Sequence, residues 1–296
     1  MNSNIFKGLI TALITPFKDN KLDFIAWEKI INYQIDNEVD GIVVGGTTGE
    51  GTSLTLEEYK TLLQVTVEVA KGRIAIIAGC SATNTQAALE ILKIGTEASV
   101  DGFMCSIPAY IKPTQQGIYL HFTALHEASH LPIMLYSVPT RTIVDFADET
   151  IVRLADLPRI IALKDAGTDL ERPLRMKELI NKEFNLLCGN DGLALPYNAQ
   201  GGVGCVSVAS NIVPALCKKL QVNWLNNNQQ AAREINQQLT PLYKALFAET
   251  NPIPVKYAAH NLGLCGEELR LPLTTATAYT QETITKAMQG LGKEFY

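Results

Sequence analysis

Lys164 closes a wholly apolar run, Ile160-Ile-Ala-Leu163, and is followed by Asp165. An amine at the end of such a run can be desolvated, which lowers its pKa and frees its lone pair to attack a carbonyl. Taken alone it reads as a surface lysine, because most lysines are. Its company changes the reading. Tyr136 closes the preceding apolar run, and if the two runs are adjacent parallel strands the two side chains are neighbours. A phenol beside an amine nucleophile can shuttle the protons that carbinolamine formation, dehydration and hydrolysis require. Residue types and placement therefore point to carbonyl chemistry through an imine.

Other residues with chemical potential cluster at similar positions. Gly41-Ile-Val-Val44 runs into GGTTGEG (Gly45 to Gly51), a tight loop with two hydroxyls, Thr47 and Thr48, and backbone N–H groups able to hold a carboxylate or phosphate. It matches neither nucleotide-binding glycine motif, and a Gly-rich turn of this kind can be purely geometric. Tyr110 lies in Ile107 to Thr114 and Arg141 in Tyr136 to Arg141. His126-Glu-Ala-Ser-His130 matches the H-E-x-x-H zinc motif letter for letter. Its helix runs from near Thr114 to Leu131-Pro132, just before a strand, which places the motif at the strands' amino-terminal end. The glycine and third histidine of the extended motif fall on Ile133 and Tyr136, so a chance match is the reading and no metal is expected. His260 reads as a packed or capping residue.

What must position these groups is a repeated βα pattern: short Ile/Val/Ala-rich runs alternate with helical-period segments. Eight such strands start near Leu9, Gly41, Ile74, Gly102, Ile133, Ile160, Asn185 and Gly204. The expected fold is a (β/α)8 TIM barrel, whose site is built at the carboxyl ends of its strands. Thr55-Leu-Glu-Glu58 is a capping box, and Asp148-Glu149 suit a helix N-terminus. Past residue 226 the strands stop and helices follow, about Gln229 to Phe247, Pro254 to Leu262 and Gln281 to Leu291. Residues 1–226 thus form the barrel and residues 227–296 a helical appendage packed on it.

Composition excludes several classes. With 47% hydrophobic and 19% charged residues the chain is globular, and with a net charge of −5 and no basic run it is not built for nucleic acid. No apolar run is long enough for a bilayer and none resembles a secretory leader, which points to the cytoplasm. The six scattered cysteines read as reduced and buried. Cys188-Gly-Asn-Asp191 and Gly201-Gly-Val-Gly204 occupy the positions where a phosphate-handling barrel needs a cation, and offer none.

Together these segments identify a resemblance. Gly8 to Phe17, GGTTGEG, Pro108 to Thr114, Tyr136 to Arg141, Ala162-Leu-Lys164 and Glu249 to Lys256 are similar, nearly end to end, to the dihydrodipicolinate synthase family. That family lies within the pyruvate-dependent class I aldolase superfamily, which also holds N-acetylneuraminate lyase. The resemblance implies that Lys164 forms the Schiff base with pyruvate, that Tyr136 donates and accepts protons with Thr47 as relay, and that Tyr110 enters the site of a neighbouring subunit. It implies a homotetramer, a dimer of dimers. It implies that Thr48 holds the pyruvate carboxylate, that Gly189 and Val206 line the pyruvate pocket, that Arg141 receives the carboxylate of aspartate semialdehyde, and that no metal or organic cofactor is needed. The rival acceptor is a sialic or sugar keto acid, and the rival class a non-catalytic keto-acid-binding barrel. The chain departs from the family's usual residues at Ser137, Ile143 and Asp165. Gly51, Thr52, Leu56, Tyr59, Thr83, Ala87 and Ala109 match the family's lysine-inhibition site without its ligating groups, which implies weak or no feedback inhibition.

Overall fold

The computed structural model describes residues 3–292. Eight parallel strands close into a barrel: β1 (Gly8–Ala12), β4 (Gly41–Val44), β5 (Ala75–Cys80), β6 (Gly102–Ser106), β7 (Ile133–Ser137), β8 (Ile160–Asp165), β9 (Asn185–Cys188) and β10 (Gly204–Ser207), with β1 pairing β10 on one side and β4 on the other. Each is buried on both faces, as strands walled by helices must be. Alternate residues therefore feed two cores. Ile10, Val43, Ile77, Met104, Ala162 and Val206 fill the barrel, while Leu9, Ile42, Val44, Cys105 and Leu163 meet the helices.

The sheath is formed by α1 (Phe24–Asp36), α2 (Leu56–Ala70), α3 (Thr85–Glu97), α4 (Gln115–Ala128), the single turn α5 (Pro139–Thr142), α6 (Asp148–Ala155), α7 (Arg172–Leu179), the short α8 (Ala194–Ala199) and α9 (Pro214–Leu225). The Thr55–Glu58 capping box opens α2 as expected. One element escaped the sequence reading: β2 (Phe17–Lys18) pairs antiparallel with β3 (Lys21–Leu22) across Asp19 and Asn20, both at positive φ, where a tight hairpin tolerates Asp and Asn. Two residues per strand carry no readable period.

After α9 come α10 (Gln229–Ala245), α11 (Ile253–Asn261) and α12 (Ala278–Leu291). α10 packs on α9, and α12 on α10 and α11. Ile253, Val255, Lys256, Ala258 and Ala259 of α11 are all buried. No helix among the described residues is long and apolar enough to cross a membrane.

The zinc-like motif comes apart in three dimensions. α4 ends at Ala128, so His130 lies beyond the helix, and His126 faces a cation, its Nε2 3.2 Å from Arg159. Among the described residues no group of three His, Cys, Asp or Glu could hold a metal. His260 is exposed, not packed, with Nδ1 3.1 Å from the Cys265 carbonyl at the end of α11. The cysteines are free, five buried and Cys265 partly so. Burial pushes the Cys188 thiol up to about 12 and also raises Cys105, Cys205 and Cys217, so these are packing groups and not nucleophiles.

Candidate active site

β7 and β8 are in register, Tyr136 opposite Lys164 and Ser137 opposite Asp165. The strand period sends Tyr136 and Lys164 inward and their successors outward. Lys164 is only 5% exposed, which removes the reading of a solvated surface lysine, and its Nζ stands 4.2 Å from the centroid of the Tyr136 ring. The amine thus lies over a phenol's π face with its apolar stem in the barrel. Gly189, at the end of β9, gives that stem room: a Cβ there would lie 3.0 Å from Lys164 Cε and 2.8 Å from Ala166 Cβ. Val206 is fully buried in the same inner cluster as Tyr136.

A second group assembles at the mouth. Gly46, Thr47, Ser81, Ser106, Arg141 and Asn251 line a cavity of about 290 Å³. Thr48 is buried and accepts a hydrogen bond from Asn251 Nδ2 at 2.9 Å, and Arg141 donates to the Asn251 carbonyl, also at 2.9 Å. Asn251 therefore joins the Gly-rich loop to α5, and its own Oδ1 is buried without a partner. The sequence reading did not single it out; its one signal was its place in the Glu249 to Lys256 segment.

The loop is held from below by charge. Glu50, with φ of +51, forms a fully buried ion pair with Lys256 of α11. Lys256 also donates to the Thr15 carbonyl at 2.7 Å and stands 4.5 Å from the Phe17 ring centre, while the Arg270 N–H donates to Glu50 at 3.0 Å. Burial pulls the Lys256 pKa down and Glu50 pushes it back up. A second buried lysine is thus present, but its ammonium is bound to a carboxylate. Among the described residues no carboxylate pairs with Lys164, which makes it the better nucleophile.

Outside the barrel, Arg172 of α7 contacts Asp165 at 3.3 Å and Asp145 at 2.7 Å. Burial pushes the Asp165 carboxyl up, opposed by Arg172. Ile143, a β-branched residue exposed at the end of α5, sits at φ +67, a conformation that favours glycine. Of the predicted residues, Lys164, Tyr136, Gly189 and Val206 meet in the barrel, and Thr47, Thr48 and Arg141 gather at the mouth. Tyr110 joins neither within the chain: it is 89% exposed at φ +75. Six of the seven inhibition-site positions line a neighbouring cavity of about 330 Å³, which shares Thr52 and Ser81 with the mouth and is also lined by Glu90, a residue the sequence reading had missed; Ala109 lines the mouth instead.

A closed parallel barrel carrying an amine and a phenol at adjacent strand ends is the architecture of a class I aldolase-type lyase, and the chain is one. Residues 5–291 match the dihydrodipicolinate synthetase family, and the chain belongs to that family. It is 63% identical, over 98% of each chain, to the 4-hydroxy-tetrahydrodipicolinate synthase of Rickettsia bellii. Dihydrodipicolinate synthase from Aquifex aeolicus superposes with a TM-score of 0.94 at 38% identity, covering 96% of this chain and 97% of that one. The chloride-inhibited enzyme from Acinetobacter baumannii, complexed with pyruvate, superposes with the same TM-score at 36% identity, covering 97% and 99%.

Proposed function

We propose that this chain condenses pyruvate with L-aspartate 4-semialdehyde to 4-hydroxy-tetrahydrodipicolinate through an imine on Lys164. The observation that carries the reading is the buried Lys164 Nζ 4.2 Å over the Tyr136 ring. Lys164 attacks the keto carbon of pyruvate, and Tyr136, relayed by Thr47, moves the protons that expel water. Loss of a methyl proton gives the enamine, whose carbon attacks the aldehyde. The amine of the acceptor then adds to the imine carbon, closing the ring and releasing Lys164. Thr48 and the loop N–H groups hold the pyruvate carboxylate, Gly189 and Val206 shape its pocket, and the Arg141 fork takes the acceptor's carboxylate. That fork favours the semialdehyde over a sugar keto acid, whose polyol chain offers it no matching anion.

In this reading the exposed Tyr110 completes the proton relay of a neighbouring copy within a homotetramer, a dimer of dimers. Of the two regions proposed from the sequence, 1–226 and 227–296, the first supplies the catalytic barrel and the second braces its loop through Lys256 of α11. Borohydride reduction with pyruvate tests the reading. The expected result is a stable adduct mapped to Lys164 and not to Lys256, with turnover on aspartate semialdehyde exceeding that on N-acetylneuraminate. An adduct elsewhere, or none, overturns it.

A further inference from the structure

Ser137 and Asp165 follow Tyr136 and Lys164 and point the opposite way, into the helix layer, where they are 0% and 2% exposed. One guanidinium links them. Arg172 reaches Asp165 Oδ2 at 3.3 Å and Asp145 Oδ2 at 2.7 Å, and the other oxygen of Asp145 accepts a hydrogen bond from Ser137 Oγ at 2.5 Å. Backbone bonds extend the tie: Ala166 N–H donates to the Ser137 carbonyl at 2.9 Å, and Gly189 N–H to the Asp165 carbonyl at 2.6 Å. The linkage therefore runs from the end of β7 through the end of β8 to the glycine beside Lys164.

Stability alone accounts poorly for this cluster. Burying a guanidinium among carboxylates is often no better than apolar packing of the same volume. Here the Arg172 Nε also makes no hydrogen bond, with only the Asp148 carboxylate near it, at 3.7 Å. What the cluster does control is geometry, because in a pleated strand a change in backbone orientation at one residue swings the next side chain. We infer that Ser137, Asp145, Arg172 and Asp165 are positioning residues that set the angle between Lys164 and Tyr136 from behind the sheet. The inference rests on the roles proposed above for that pair.

The test compares S137A, R172K and the double variant with the unaltered enzyme, recording kcat, pyruvate KM, the rate of borohydride-trapped imine formation and the thermal midpoint. S137A deletes one hydroxyl, and R172K keeps the charge but loses the fork. Small misplacements of reacting groups are costly to rate. The expected result is therefore a fall in kcat and imine rate of about tenfold in S137A and more in R172K, with pyruvate KM within about twofold. The double variant should be no slower than R172K, because both changes break one linkage. Should R172K fail to fold, S137A alone decides. An adduct in the unaltered enzyme with S137A within about twofold of it in kcat and imine rate, whatever its midpoint, overturns this inference alone. No adduct in the unaltered enzyme overturns the reading of Lys164, and this inference with it.

Discussion

Replacing Lys256 by Met tests how the Gly-rich loop is held. The methionine fills much the same volume but leaves Glu50 buried with, among the described residues, one donor, the Arg270 backbone N–H at 3.0 Å. Both members of the ion pair are fully buried, and removing one partner of such a pair costs about 3–5 kcal/mol, because the survivor keeps its desolvation penalty. For a chain of 296 residues that corresponds to a fall in thermal midpoint of about 5–8 °C. Calorimetry of K256M, E50M and K256M/E50M resolves the pair from its surroundings. With both charges gone the penalty goes too, so the double variant should regain more than half of the loss. A midpoint for K256M within about 1 °C of the unaltered protein would refute the argument, as would a double variant equal to the sum of the singles.

Other outcomes follow from the same geometry. R141K should raise KM for the semialdehyde about ten- to hundredfold while leaving the trapped pyruvate adduct unchanged, since the fork is lost and the imine site is not touched. Arg270 forks onto Glu58 at 2.7 and 2.5 Å and holds its carboxyl down at about 2. A folded-state pKa below the unfolded value of 4.5 means stability that is complete above pH 4.5 and is lost as pH falls toward 2; the midpoint of E58Q, measured across that window, should fall less steeply. Mixed oligomers of K164A and Y110F should turn over faster than either parent, because one copy supplies the tyrosine and the other the lysine; no gain on mixing would show that Tyr110 does not act across an interface.

Most of the architecture could be read directly from the chain. Runs such as Ile160 to Leu163, buried on both faces, announce a parallel strand without reference to anything distant. Lys164 and Tyr136 were legible because each ends such a run. The hidden features take their meaning from contacts that no strand or helix period announces. Lys256 sits in IPVKYAAHN, where a helix reader expects its lysine in water, and its counter-ion lies 206 positions earlier. Ser137 and Asp165 stand in the sequence only as departures from the family's usual residues, and nothing there pairs them with Asp145 and Arg172, which join them in the fold. Asn251 carried no local signal of chemistry, since a lone asparagine before proline reads as a turn. Tyr110 was identified only by resemblance, and in a single chain it faces outward.

The Glu50–Lys256 pair also bears on how the protein is made. Every group proposed to touch the substrates within one chain has been synthesised by the end of the barrel, yet the loop bearing Thr47 and Thr48 still lacks the cation that neutralises Glu50. At about 5–20 residues per second, the 49 residues from the end of the last barrel strand at Ser207 to Lys256 take about 2–10 s to synthesise. Until Lys256 is made Glu50 lacks its buried counter-ion, so the loop is expected to settle late. The final form of the Gly-rich loop therefore waits for α11, and for Arg270 behind it, however early the strand bearing Lys164 folds.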